Sequence, residues 1–213
     1  MTISFNTIIP NPMQNHSFTN ESVWGKEWEW CSPQMVLLYA VSGKGKSSFV
    51  DFLTGVRSDY KGDVLFDSKS IQDFKMDDWS EIRAQKLAVV YQDLQLFDDL
   101  TVIENILIKN ELTNHFTKDK IEYYIQKVGL TNQQNQACKT LSFGQKQRVA
   151  IIRALTQPFK LLILDEPFSH LDKANETILI ELIENELKEN NAGLILTTLG
   201  EIPNIKFDSQ VKL

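Results

Sequence analysis

Tyr39-Ala40-Val41-Ser42-Gly43-Lys44-Gly45-Lys46-Ser47-Ser48 is the most informative stretch of this chain. The run before it, Met35-Val36-Leu37-Leu38-Tyr39, is apolar and short enough for a buried strand. The run after it, Phe49-Val50-Asp51-Phe52-Leu53-Thr54-Gly55, has the apolar spacing of a helix and a glycine stop. Strand, glycine-bearing loop, Gly-Lys-Ser and helix together are the context of a phosphate-binding P-loop. Such a loop aims backbone N–H groups at an anion, and the helix N-terminus adds the positive end of its dipole. In that reading Ser42 to Ser48 cradle the phosphates, Lys46 reaches the terminal ones and Ser47 sits on Mg²⁺. Ala40 stands where the motif's first glycine belongs, a position that needs a small residue more than a positive φ. Taken alone, Gly-Lys-Ser also fits a glycine-rich turn beside a lysine, so the remaining chain has to discriminate.

The composition sets the bounds. At 213 residues, with 42% hydrophobic and 23% charged residues, the chain has ordinary globular content and the length for one substantial α/β domain. A net charge of −6 argues against nucleic acid as the main partner and against adhesion to anionic lipid. Cys31 and Cys138 lie far apart without a CxxC pattern, which favours a reducing compartment. The start lacks a basic segment followed by a long apolar one, and no apolar run approaches the roughly 20 residues of a membrane span. The expectation is a cytoplasmic protein.

Along the chain, Ile3 to Ile9 alternates as a first strand, ended by Pro10-Asn11-Pro12. Trp24, Trp28 and Trp30 share a period-two face, which fits either a contact surface or a half-buried strand packing aromatics on the core; the second is favoured. Strands are expected at Tyr60–Asp67 after a turn, at Leu87–Tyr91, at Leu161–Leu164, at Gly193–Thr198 and near Ser209–Leu213, while residues 76–86 read as mixed polar. Helical periodicity runs from Leu100 to about Gly129, again from Ser142 to Leu155, and over residues 174–189. Strands alternating with helices predict an α/β fold with a largely parallel sheet, and the helical stretch at about 96–150 reads as an insertion.

Leu161-Leu162-Ile163-Leu164-Asp165-Glu166-Pro167 is the second informative feature. An apolar strand ending in two carboxylates puts acid at the carboxyl edge of the sheet, where open α/β folds bind ligands. In a P-loop enzyme Asp165 would hold Mg²⁺ and Glu166 would accept a proton from the attacking water. Between the two features lies Leu141-Ser142-Phe143-Gly144-Gln145-Lys146-Gln147-Arg148, in which a serine followed by glycine at a helix start makes a second anion-binding end.

Through these residues together the chain resembles the ATP-binding-cassette (ABC) ATPases, the nucleotide-binding subunits of ABC transporters. Leu141–Gln145 is similar to the family's Leu-Ser-Gly-Gly-Gln signature, with Phe143 replacing its first glycine. Tyr91-Gln92-Asp93 falls at the Q-loop, Ser169-His170-Leu171-Asp172 resembles the D-loop, and Thr101–Ile106 resembles the start of the helical subdomain. The resemblance implies a P-loop NTPase fold over residues 1–213, a single domain with a RecA-like, mainly parallel core, an N-terminal antiparallel β region and an inserted helical subdomain at about 96–150.

It also implies ATP and Mg²⁺ as cofactors. Glu166 and Gln92 would serve catalysis, and Ser47, Gln92 and Asp165 the metal. Ser42, Gly43, Lys44, Gly45, Lys46, Ser47 and Ser48 would bind the nucleotide, with Ser142, Gly144 and Gln145 closing over the γ-phosphate of a second protomer. The implied assembly is a head-to-tail dimer, peripheral to the membrane and docked on a separate permease. Phe18 is the candidate for stacking on adenine, with Trp24 as alternative. Residues 81–92 are similar to the lipoprotein-release and macrolide-export branch. One departure has chemical weight: the family places a histidine after the strand at 193–198, and this chain has Leu199, with histidines only at 16, 115 and 170. A leucine offers the γ-phosphate neither charge nor hydrogen bond, so slow hydrolysis is expected. A non-transport ATPase and a weakly hydrolysing regulatory subunit are the alternatives.

Overall fold

The computed structural model describes residues 1–15, 17–19, 22–39, 45–199 and 201–213. Two sheets organise it. The first is antiparallel, in the order β2-β1-β4-β5, from β1 (Thr2–Pro10), β2 (Glu27–Cys31), β4 (Tyr60–Phe66) and β5 (Lys69–Ser70). The second is wholly parallel, in the order β6-β7-β8-β3-β9, from β3 (Met35–Tyr39), β6 (Leu87–Val90), β7 (Leu161–Asp165), β8 (Gly193–Thr198) and β9 (Ser209–Lys212). The expected α/β architecture with its N-terminal antiparallel region is therefore what forms.

The parallel strands are apolar at successive positions because both faces of their sheet are covered. Val36, Leu38, Leu161, Ile163 and Ile195 point into one buried cluster, shared with the antiparallel sheet and α1 (Lys46–Leu53). Leu37, Leu162, Leu164, Leu194 and Leu196 point into the other. That second cluster is completed by α3 (Val102–Asn110), α4 (Lys118–Lys127), α5 (Phe143–Leu155) and α6 (Lys173–Asn190). α3, α4 and α5 all lie between β6 and β7 in the chain, with α5 running on to Leu155.

Two local expectations are corrected. Residues 76–86, read as mixed polar, form α2 (Met76–Gln85), started by the Asp78 carboxylate accepting from the Lys75 backbone N–H at 2.8 Å. Its apolar signal is thin because Trp79 and Ile82 carry most of the contact to the core. The tryptophan face is not one strand: Gly25, at φ 73°, turns the chain before β2, so Trp24 reaches the core from the preceding segment. Trp24 is buried against Phe5, Phe49 and Phe52, Trp28 packs edge-on against Phe5 and Phe49, and Trp30 is buried in the same cluster, which is the packing reading of these aromatics.

No helix among the described residues is long and apolar enough to cross a membrane.

Candidate functional site

β3, β8 and β7 are neighbours and run parallel, so the residues after them emerge side by side at one edge of the sheet. The loop after β3 leads into α1, the end of β8 leads to Leu199, and β7 ends in Asp165 with Glu166 beyond it. Residues far apart in the chain converge there by topology alone.

Gly45 caps α1 at φ 95°, and a Cβ on it would stand 3.1 Å from the buried Trp24 ring, so both conformation and space call for glycine. Lys46 opens the helix and is buried, and its Nζ lies 3.0 Å from Glu166 Oε1. Gly45, Lys46, Ser47, Ser48, Gln92, Glu166 and Leu199 line one cleft, whose apolar wall is Pro10, Pro12 and Met13. The Ser48 hydroxyl accepts from Arg57 Nη1 at 3.1 Å. An adjoining cleft brings Ser47, Gln92 and Asp165 together, with Asp51 and Asp93 beside them. Gln92 is exposed and borders both. Ser42, Gly43 and Lys44, expected to complete the cradle, lie outside the described residues, as does Ala40.

The acidic pair is held by Thr197. Asp165 stands opposite Thr197 in the β7–β8 register, and the Thr197 hydroxyl donates a short hydrogen bond to Asp165 Oδ1. The same hydroxyl accepts from the Glu166 backbone N–H at 3.2 Å, which also reaches the Thr197 carbonyl at 3.2 Å. Glu166 adopts φ 52°, a left-handed conformation uncommon for a residue with a side chain. Burial pushes the Asp165 carboxyl above its ordinary range, the Thr197 hydroxyl bond pulls it back, and the neighbouring Glu166 charge pushes it up again. The only mark of Thr197 in the sequence is a hydroxyl following the apolar run Leu194-Ile195-Leu196.

Asp165 carboxylate, Ser47 hydroxyl and Gln92 amide form an oxygen-only donor set of the kind that suits Mg²⁺. Among the described residues no group of three or more His, Cys, Asp or Glu is placed to cage a metal. That sparse set suits an ion whose remaining ligands are water and phosphate.

The signature segment lies elsewhere: Ser142, Gly144 and Gln145 are absent from the linings of both clefts. Ser142 caps α5, its hydroxyl accepting from Gln145 N–H at 3.3 Å while Gln145 Oε1 accepts from Ser142 N–H at 2.8 Å. A Cβ on Gly144 would lie 2.8 Å from the His170 carbonyl oxygen, so this glycine allows the segment 169–172 to approach α5. Phe143 is exposed, its ring 4.4 Å from that of His170. Asp172 caps α6, accepting from Asn175 N–H at 2.8 Å. Phe18 is half-buried near Gly25 and Ile9 and does not line the nucleotide cleft, while Trp24 is buried with no open face.

A cleft at the carboxyl edge of a parallel sheet, with Gly45-Lys46-Ser47 at a helix start and Asp165-Glu166 at a strand end, defines a P-loop nucleotide-binding domain. The family model described as ABC transporter matches residues 28–169. The phosphonates import ATP-binding protein PhnC of Fusobacterium nucleatum is 34% identical over 174 residues, 76% of this chain and 70% of that protein. The lipoprotein-releasing system ATP-binding protein LolD of Buchnera aphidicola is 37% identical over 145 residues, 67% of this chain and 63% of its own length. In fold the chain is similar to the dimeric ABC transporter cassette MJ0796, with a TM-score of 0.78 at 21% identity over 93% of this chain and 88% of that one. The chain belongs to the ABC transporter family, as an ATP-binding cassette of the ATPase class.

Proposed function

We propose that this cassette binds Mg²⁺–ATP between two protomers arranged head-to-tail and drives a separate membrane subunit. The observation that carries the reading is the convergence of Lys46, Ser47, Gln92 and Glu166 on one cleft. Lys46 and the N-terminal N–H groups of α1 bind the phosphates. Glu166 stands within reach of that site as proton acceptor for water, and Gln92 borders it as the group that orients the water. Mg²⁺ held near Ser47, Gln92 and Asp165 supplies charge neutralisation on the phosphate oxygens.

Ser142, Gly144 and Gln145 act on the partner's nucleotide, in keeping with their distance from this chain's own clefts and with the dimeric cassettes of the same fold. The names of the relatives support a transport role, and they divide between importers and a lipoprotein-releasing system, so the cargo follows the membrane partner.

A second reading rests on Leu199, exposed and lining the nucleotide cleft without a polar atom to offer. In it the protein binds ATP and dimerises but turns over slowly. Light scattering with Glu166→Gln tests the dimer: ATP with Mg²⁺ is expected to double its mass, and a monomer at saturating ATP refutes the composite site. Wild-type ATPase activity measured alongside separates the two readings.

A further inference from the structure

Thr197 is fully buried, yet it carries a hydroxyl in a strand whose other inward positions are hydrocarbon. Burying a hydroxyl is unfavourable unless it is hydrogen-bonded, and this one is bonded twice, to the two residues at the heart of the site. Its donated bond occupies Asp165 Oδ1, fixing a carboxylate that lines the cleft shared by Ser47 and Gln92. Its accepted bond holds the Asp165–Glu166 peptide at the point where the chain turns to φ 52°. A left-handed residue with a Cβ is strained, so the peptide stays there because neighbours fix it.

We infer that Thr197 is a positioning residue of the ATPase site, whose one hydroxyl orients the Asp165 carboxylate toward the metal and fixes the backbone from which Glu166 projects. The inference rests on the ATPase reading above. It assigns catalytic weight to β8 itself, in a chain where, among the described residues, the loop after β8 contributes Leu199 to the lining of the nucleotide cleft. A valine of the same shape would fill the space and keep the strand, but it would leave Asp165 Oδ1 without its donor and Glu166 N–H with the Thr197 carbonyl alone.

The test uses the full chain as Thr197→Val and Thr197→Ser. Partners one step behind a metal ligand are typically worth about 10- to 100-fold in metal affinity or activity. Thr197→Val is expected to lower kcat by about tenfold or more and to weaken Mn²⁺ binding to the ATP-bound protein, followed by electron spin resonance, by a similar factor. Affinity for ATP without metal should stay unchanged, because Lys46 and the loop are untouched. Thr197→Ser restores the hydroxyl and should return both quantities to within about threefold of wild type. Wild-type Mn²⁺ affinity and kcat in a folded Thr197→Val protein would overturn the inference. If the valine variant does not fold, Thr197→Ala decides: wild-type Mn²⁺ affinity in it overturns the inference, and a loss that Thr197→Ser does not share supports it. Failure of the ATPase reading looks different, since wild type itself would then show no binding of ATP.

Discussion

Lys46 Nζ and Glu166 Oε1 stand 3.0 Å apart, an ion pair that joins the first turn of the P-loop helix to the residue after β7. Both side chains are about nine-tenths shielded from solvent, so the attraction is little screened. The lysine proposed for phosphate is thus paired with the carboxylate proposed for water. On the proposed mechanism ATP entering the cleft competes with Glu166 for Lys46, and the carboxylate so released would accept the proton of the attacking water.

Glu166→Gln should therefore do two things at once. It removes the general base, lowering kcat by about 10²- to 10⁴-fold, and it releases Lys46 for phosphate, so ATP affinity is equal to or tighter than that of wild type. Lys46→Ala should weaken ATP binding by about 10- to 100-fold, the worth of a charged hydrogen bond. Equilibrium titration with a fluorescent ATP analogue checks both, and a Glu166→Gln protein that binds ATP more weakly would contradict the competition.

Leu199→His restores a polar group to the rim of the cleft at the position where the family has histidine. Preorganised contacts to developing charge are worth about 10²- to 10³-fold, so a gain of at least tenfold in kcat is expected from steady-state phosphate release. Rapid turnover in wild type, unchanged by Leu199→His, would rule out Leu199 as the cause of slow hydrolysis.

Gly144→Ala places a methyl group 2.8 Å from the His170 carbonyl oxygen, which is backbone and cannot swing aside. The start of α5 and the 169–172 segment must separate, at a cost of about 1–3 kcal/mol. We expect a lower Tm by circular dichroism together with loss of ATP-dependent dimerisation in the Glu166→Gln background, although nucleotide binding to the monomer persists.

His115 gives the fold a pH dependence. Its ring stacks on Phe116, its Nε2 is buried without a hydrogen-bond partner, and burial holds its pKa below the ordinary 6.5. The groups facing it are Glu186 and Glu189 of α6, which pull the value up, and Lys120 of α4, which pushes it down. Because the folded value is the lower one, the unfolded chain takes up the proton first. The stability is then full above about pH 6.5 and declines as pH falls from there toward the folded value. The Tm of wild type minus that of His115→Gln, followed from pH 7.5 to 5.5, should fall with pH; a flat difference would show that the imidazole stays exposed.

Much of this was legible in the sequence because it depends on neighbours along the chain. Apolar runs such as Leu161–Leu164 and Gly193–Leu196 could be read as buried parallel strands, since both of their faces meet hydrocarbon. Ser142 with Gln145, and Thr101 with Glu104, announce helix starts by a local reciprocal hydrogen bond. α2 was not legible, because its polar surface carries almost no periodic apolar signal and only the core gives Trp79 and Ile82 their meaning. Pro12 and Met13 as the apolar wall of the cleft were equally hidden, for nothing in Asn11-Pro12-Met13 points toward a P-loop whose Lys46 comes 33 residues after Met13.

The sequence by itself determined the parts of the site: a Gly-Lys-Ser at a helix start, two carboxylates at a strand end, a capped Ser-x-Gly, and a leucine where a histidine would serve. The tertiary structure alone decided how they meet. Laying β8 between β3 and β7 puts Lys46 against Glu166 and sets a threonine hydroxyl between Asp165 and the next peptide. Those contacts depend on strand order and register, which arise from burying both faces of one sheet and are written in no single segment of the chain.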